Sequence, residues 1–185
     1  LEITPQEYFG LLNLDLDDFE SKAKLPNLQK INKIVSLREL KEIHNLEELA
    51  KNSNIPIINA LSDLEHPCQA LADFLTILEV KGKLEGLTLA YTGDGENNVS
   101  HSLVLGCALL GINFNCAAPK GYWMNQEIVK KAKELTKFSR AKITETTNPK
   151  EAVRDADVVY TDTWVSMGDE TEQYKRLEIF KNYQV

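Results

Sequence analysis

The chain has 185 residues, 28 acidic and 21 basic, for a formal net charge of −7 at pH 7, and it is 43% hydrophobic. That is the make-up of an ordinary globular chain of one domain, or one and a part, long enough to bury a core. It excludes several classes: no apolar run approaches the ~20 residues of a membrane span, Leu1-Glu2-Ile3-Thr4 has neither the basic nor the apolar region of a secretory leader, and an acidic balance argues against a binder of nucleic-acid phosphates.

The first third of the chain gives mixed signals. Thr4 with Glu7 fits a capping box, with Pro5 at the first helical position, so a short helix through Leu12 is expected. A second helix is expected over Asp15 to Lys24. From Leu25 to Lys33, Pro26, Asn27 and Asn32 interrupt any helical period. Ile34 to Leu37 reads as a strand, Asn45 as the cap of a helix to Lys51, and Ile55 to Ile58 as another strand.

From Asp63 onward the pattern is regular. Pro67 starts a long helix with Leu71, Phe74, Leu75 and Leu78 on one face, and Gly82 and Gly86 bracket its exit. Leu87 to Tyr91 is an apolar strand ending in Gly93-Asp94-Gly95. Asn98 to Leu110 is a helix closed by Gly111. Then follow a strand over Ile112–Ala117, a helix over Asn125–Phe138 and a strand over Lys142–Thr144. A short helix over Pro149–Arg154, a strand over Asp157–Thr161 and a helix over Thr171–Lys181 complete the series. Alternating strands and helices mean βαβ units: an α/β fold with parallel strands flanked by helices. Ligands of such sheets bind beyond the carboxyl ends of the strands. The residues after Tyr91, Ala117 and Thr161 are therefore the ones to inspect.

Cys68, Cys107 and Cys116 form no CxxC pair, which suits buried thiols in a reducing, cytoplasmic compartment better than disulfides or zinc. Only four arginines occur (Arg38, Arg140, Arg154 and Arg176), although arginine is the usual bidentate grip on phosphate.

Three constellations carry chemistry, each with a plainer alternative. Gly93-Asp94-Gly95-Glu96-Asn97-Asn98 lacks the third glycine of a dinucleotide fingerprint, and the next strand ends in Ala118-Pro119-Lys120 without a ribose-binding acid. It is either a tight turn with Asn98 as a helix cap, or a turn that aims Asn98 into a ligand crevice. In Asp162-Thr163-Trp164-Val165-Ser166-Met167-Gly168, a carboxylate for an ammonium group stands beside backbone N–H groups for a carboxylate. That is an amino-acid recognition pattern, or else Asp162 bonds its own backbone and the segment is a plain loop. In Glu65-His66-Pro67-Cys68-Gln69, His66 and Gln69 stand at a helix N-terminus, able to donate to a carbonyl or phosphate. The plainer reading makes His66 an N-cap and Cys68 a core thiol. His44 and His101 lack such a context and read as surface or capping residues.

Together these stretches resemble the aspartate/ornithine carbamoyltransferase family, and within it the ornithine branch. The matching text is Leu61-Ser62-Asp63-Leu64-Glu65-His66-Pro67-Cys68-Gln69 with Ala72-Asp73, then Gly93 to Ser102, then Ala118-Pro119-Lys120-Gly121-Tyr122. Ala156 to Gly168 and Tyr183-Gln184-Val185 continue it. The resemblance runs from about Asn45 to Val185. It implies two α/β domains: a partial carbamoyl-phosphate domain over residues 1–80 and a Rossmann-like amino-acid (ornithine) domain over 81–185. It implies that His66 and Gln69 contact the carbamoyl group and that Arg38 matches the arginine on the carbamoyl oxygen. Asn98, Asp162, Ser166 and Met167 would hold the α-amino and α-carboxylate ends of ornithine. Carbamoyl phosphate and L-ornithine are then the substrates, with no metal and no organic cofactor. The resemblance further implies a homotrimer or a multiple of trimers in the cytoplasm, with no nucleic-acid or membrane partner.

The chain departs from the family in two places. Nothing between Lys24 and Ile34 matches the Ser-Thr-Arg-Thr-Arg phosphate loop, and the His-Cys-Leu-Pro element would fall after Val185. Two expectations follow. Either the 185 residues are part of an ornithine carbamoyltransferase, with a junction near Lys24-Leu25, or the chain is a truncated, inactive paralogue that binds an amino acid or another protein. In both cases the 185-residue polypeptide by itself is expected to be inactive.

Overall fold

The computed structural model describes residues 46–51, 54, 56–165 and 172–185. The chain forms two compact units, Leu1–Asn59 and Ala60–Val185. In the first, the described helix is α1 (Leu46–Lys51), which meets the expectation after Asn45. The expected strand over Ile55–Ile58 is not there: residues 56–58 carry no strand pairing. Pro56 has no N–H to give to a ladder. The two helices expected before Lys24 and the strand over Ile34–Leu37 lie outside the described residues.

The second unit runs α2 (Pro67–Lys81), β1 (Thr88–Thr92), α3 (Asn98–Leu110), β2 (Asn113–Ala117), α4 (Gln126–Ser139), β3 (Ile143–Thr146), α5 (Pro149–Ala152), β4 (Val158–Tyr160) and α6 (Gln173–Phe180). A short 3₁₀ turn, Lys181–Tyr183, follows α6. The four strands form one parallel sheet in the order β3-β2-β1-β4. The chain builds outward from β1 to β3, then returns to lay β4 on the other side of β1. The direction of winding thus reverses between β1 and β4, which is where sheets of this kind open a ligand crevice.

Burial explains the elements. Leu89, Ala90 and Tyr91 of β1 are wholly buried, as a central strand covered on both faces must be. In α3, eleven of the thirteen residues are buried, so it is an interior helix rather than an amphipathic one. It packs against α2, α4 and β2. Gly106 permits the α2 contact: a Cβ there would lie 2.2 Å from the Phe74 ring. The buried face of α2 is Ala70, Phe74 and Ile77, not the expected Leu71–Phe74–Leu75–Leu78 stripe. Leu75 is exposed, because it lies about 100° round the helix from Phe74.

Capping ends the helices where the sequence says it should. Gly82 and Gly111 take left-handed conformations after α2 and α3. Asn125 caps α4 by accepting from the N–H groups of Glu127 and Ile128. At α3 the cap is Asn97, whose Oδ1 accepts from Ser100 N at 2.8 Å, and not Asn98. Asn98 is the first helical residue, so its side chain is released for other work.

Candidate functional site

The crevice at the winding reversal is lined by the turn after β1 and the loop after β4. Gly93 opens the first with φ +138°, a conformation only glycine holds at low cost. A Cβ there would stand 3.6 Å from Trp164 Nε1 of the opposite loop. The two lips therefore stand in ordinary van der Waals range, and it is the positive φ rather than the space that calls for glycine.

Asp162 sits two residues past β4, half-buried. Its Oδ2 accepts from Asn97 Nδ2 at 3.1 Å, and Asn97 Nδ2 also donates to the Tyr91 hydroxyl at 3.1 Å. The Tyr91 hydroxyl donates to the Asp94 carbonyl at 2.9 Å. Burial, followed by the nearby Asp162 carboxylate, pushes the Tyr91 phenol well above its ordinary range, so it stays protonated as a donor. Asp162 Oδ1 accepts from Thr163 N at 2.8 Å, the local backbone bond that the plainer reading anticipated. The local bond and the cross-sheet bond coexist, and together they fix the carboxylate at the mouth of the crevice.

Asn98 Nδ2 donates to the Ser62 carbonyl at 2.8 Å. It is one of three bonds by which the first turns of α3 hold the 62–66 segment. Ser102 Oγ accepts from His66 N at 2.8 Å. His101 Nδ1 lies 2.9 Å from the Leu64 carbonyl, and its Nε2 accepts from Asn125 N at 3.1 Å. Those partners require the tautomer protonated on Nδ1. His101 is buried at 4% exposure, which corrects the expectation of a surface or capping residue. It fixes the segment before His66 and the start of α4 at once.

His66 occupies the N-cap position of α2, but its side chain makes no capping bond. Its Nδ1 is buried without a hydrogen-bond partner. A buried polar atom left unpaired is costly in a structural residue and is what a ligand-facing ring would show. Cys68 is exposed rather than a core thiol, whereas Cys107 and Cys116 are buried. Gln69, one turn into α2, is exposed and donates through Nε2 to Asp73 Oδ1 at 3.0 Å. Arg38, Ser166 and Met167 lie outside the described residues.

Residues the sequence reading passed over complete the site. Arg176 of α6 pairs with the Asp94 carboxylate and donates through Nε to the Trp164 carbonyl, bridging both lips. Asp94 Oδ1 also accepts from Glu96 N at 3.0 Å. Trp164 stacks on Phe180, with ring centroids 6.2 Å apart. That packing accounts for a tryptophan in this loop. Chemically, the arrangement offers a fixed carboxylate for a cation on one side and the His66–Gln69 helix start on the other.

A family model described as the Asp/Orn binding domain of aspartate/ornithine carbamoyltransferase matches residues 85–185. A second, described as the carbamoyl-P binding domain of aspartate/ornithine carbamoyltransferase, matches residues 20–79. The chain is 54% identical over 140 residues to the ornithine carbamoyltransferase of Bacillus subtilis (76% of this chain, 44% of the relative). It is 53% identical over 141 residues to that of Methanocaldococcus jannaschii (76% of this chain, 46% of the relative). Among solved structures it resembles ornithine carbamoyltransferase from Pyrococcus furiosus, with TM-score 0.71 and 45% identity over 76% of this chain and 44% of that one. The anabolic ornithine carbamoyltransferase of Campylobacter jejuni gives TM-score 0.70 and 39% identity over 76% of this chain and 46% of that one. The chain thus spans a little under half the length of the relatives it matches.

Proposed function

Because the chain belongs to the aspartate/ornithine carbamoyltransferase family, we propose that the protein is an ornithine carbamoyltransferase, moving the carbamoyl group of carbamoyl phosphate to the δ-amine of L-ornithine and releasing L-citrulline and phosphate. The observation that carries this reading is the Asp162 carboxylate, held by Asn97 and its own backbone at the winding reversal of the sheet. A carboxylate without a protein cation among its hydrogen-bonded partners suits the ammonium of an amino acid. The relatives' ornithine-specific names support the choice of amino acid.

In this reading residues 1–80 serve carbamoyl phosphate and residues 81–185 serve ornithine. Asn98, Asp162, Ser166 and Met167 hold the α-amino and α-carboxylate ends, with the Asp162 carboxylate on the ammonium. His66 and Gln69 contact the carbamoyl group, and Arg38 joins His66 on its carbonyl oxygen. The δ-amine attacks as the free base. A C–N bond forms, negative charge gathers on the carbonyl oxygen, and donors placed there in advance lower the barrier as an oxyanion hole does. The bond between the carbonyl carbon and the bridging oxygen then breaks, phosphate leaves with that oxygen and the electron pair, and the amine gives up its proton. Holding two substrates in line supplies much of the remaining rate. No metal or organic cofactor takes part.

The protein acts as a homotrimer or a multiple of trimers in the cytoplasm. Among the described residues, no helix is long and apolar enough to cross a membrane.

Calorimetry with the purified native protein tests the substrate assignment. With the protein saturated with carbamoyl phosphate, addition of L-ornithine is expected to give the sustained heat of turnover, and addition of L-aspartate is not. Preference for aspartate overturns the choice of substrate.

A further inference from the structure

Asp73 lies one turn beyond Gln69 on α2, and both of its carboxylate oxygens are engaged. Oδ1 accepts from Gln69 Nε2 at 3.0 Å. Oδ2 accepts from the Tyr160 hydroxyl at 2.8 Å. Tyr160 is the last residue of β4 and comes from the far end of the compact unit's sequence. A glutamine–aspartate pair spaced i,i+4 on a helix surface is weak when alone. Here the carboxylate is gripped from a second side by a phenol anchored in the sheet. The Tyr160 ring stacks on Tyr91 at 6.0 Å. Burial first, then the bond to Asp73, hold the Tyr160 phenol far above its ordinary range, so the hydroxyl remains a donor.

A carboxylate has no proton to donate. The end of the Gln69 amide that faces it must therefore be the NH₂ end. Oε1 is left as the acceptor, and an acceptor is what the NH₂ of a carbamoyl group requires.

We propose that Asp73 and Tyr160 are positioning residues for Gln69: the carboxylate sets which end of the amide meets a carbamoyl group, and the phenol holds the carboxylate. The proposal rests on the carbamoyl-transfer reading of the site. It also joins the two halves of the crevice. Tyr160 stacks on Tyr91, and the Tyr91 hydroxyl shares the Asn97 amide with Asp162.

The test uses the native protein. Asp73→Ala frees the Gln69 amide to flip. Its KM for carbamoyl phosphate is expected to rise about tenfold while the KM for L-ornithine stays within about twofold. Tyr160→Phe raises the first by about threefold. Asp73→Asn keeps the size of the side chain but restores little, because its Oδ1 takes the Tyr160 O–H and its Nδ2, a donor, then faces Gln69 and no longer selects the NH₂ end. Equal losses for both substrates, no loss, or a native KM for carbamoyl phosphate in Asp73→Asn overturns the proposal. Thermal unfolding of each variant confirms that the fold is intact. If the native protein makes no citrulline, the functional reading fails, and heteronuclear NMR of the Gln69 side-chain amide decides the positioning geometry. A change in those signals in Asp73→Ala supports it, and unchanged signals overturn it.

Discussion

The guanidinium of Arg176 and the carboxylate of Asp94 form an ion pair with only 8% and 6% of the two side chains exposed. The guanidinium also lies 5.4 Å from the ring centroids of Tyr122 and Phe180. Through Asp94 it holds the turn after β1, and through the Trp164 carbonyl it holds the loop after β4. One side chain of α6 thus fixes the width of the crevice.

Breaking that pair is expected to cost far more than a surface ion pair would. Arg176→Met leaves the Asp94 charge buried and uncompensated, a loss of about 3–5 kcal/mol. Adding Asp94→Asn to Arg176→Met removes the stranded charge and recovers part of the loss. Urea unfolding of the single and double variants measures both. A cost below about 1 kcal/mol for Arg176→Met would show that the pair behaves like an exposed one.

Asp162→Ala separates the two substrate sites. L-Ornithine affinity is expected to fall by at least about tenfold, the scale of a lost charge-assisted contact. Carbamoyl phosphate affinity should change much less. The KM for each substrate at saturation with the other reads the two separately, and equal losses argue against the assigned role.

Much of this site was legible in the sequence. Gly82, Gly111, Pro67 and Asn125 announced helix ends, and the alternation of elements announced a parallel sheet. Asp162 and His66 stood at strand and helix ends, where ligands bind. Other features were hidden because they depend on contacts between distant residues. Nothing local distinguishes Asn97 from Asn98 as the cap of α3. The choice is made by the Asn97 amide reaching Asp162, 65 positions away. His101 looked like a surface residue because its partners, Leu64 and Asn125, come together only when α2 and α4 pack on α3. Arg176 had no partner in sequence, since Asp94 is 82 positions away.

Alkaline pH should destabilise the fold through its phenols. Burial raises the Tyr91 phenol above its ordinary value, and burial raises Tyr160 and Tyr183 in the same direction. A raised phenol favours the folded state while protonated. That stabilisation is complete below about pH 10 and is lost as the pH climbs through the folded value. Tyr91→Phe should therefore show a shallower loss of stability above about pH 10 than the native protein. At neutral pH it should be less stable by about 1–2 kcal/mol, having lost the bonds to Asp94 and Asn97. Urea midpoints across the pH series provide the check, and parallel curves would contradict it.

Thiol chemistry offers an independent test of the core. Burial pushes the Cys107 and Cys116 thiols well up, disfavouring the reactive thiolate. Cys68 is exposed at the start of α2. A thiol-reactive chromogen is expected to modify Cys68 promptly in the folded protein, and Cys107 and Cys116 only after denaturation. Prompt modification of Cys116 in the native state would mean that β2 is not buried as described.

The most direct test of the account is the reaction itself. Native protein isolated from its own cells is incubated with carbamoyl phosphate and either L-ornithine or L-aspartate, and the products are separated and quantified. The account predicts L-citrulline and phosphate in equal amounts with ornithine, and no carbamoylated product with aspartate. Absence of citrulline, or carbamoylaspartate formed in its place, would contradict it.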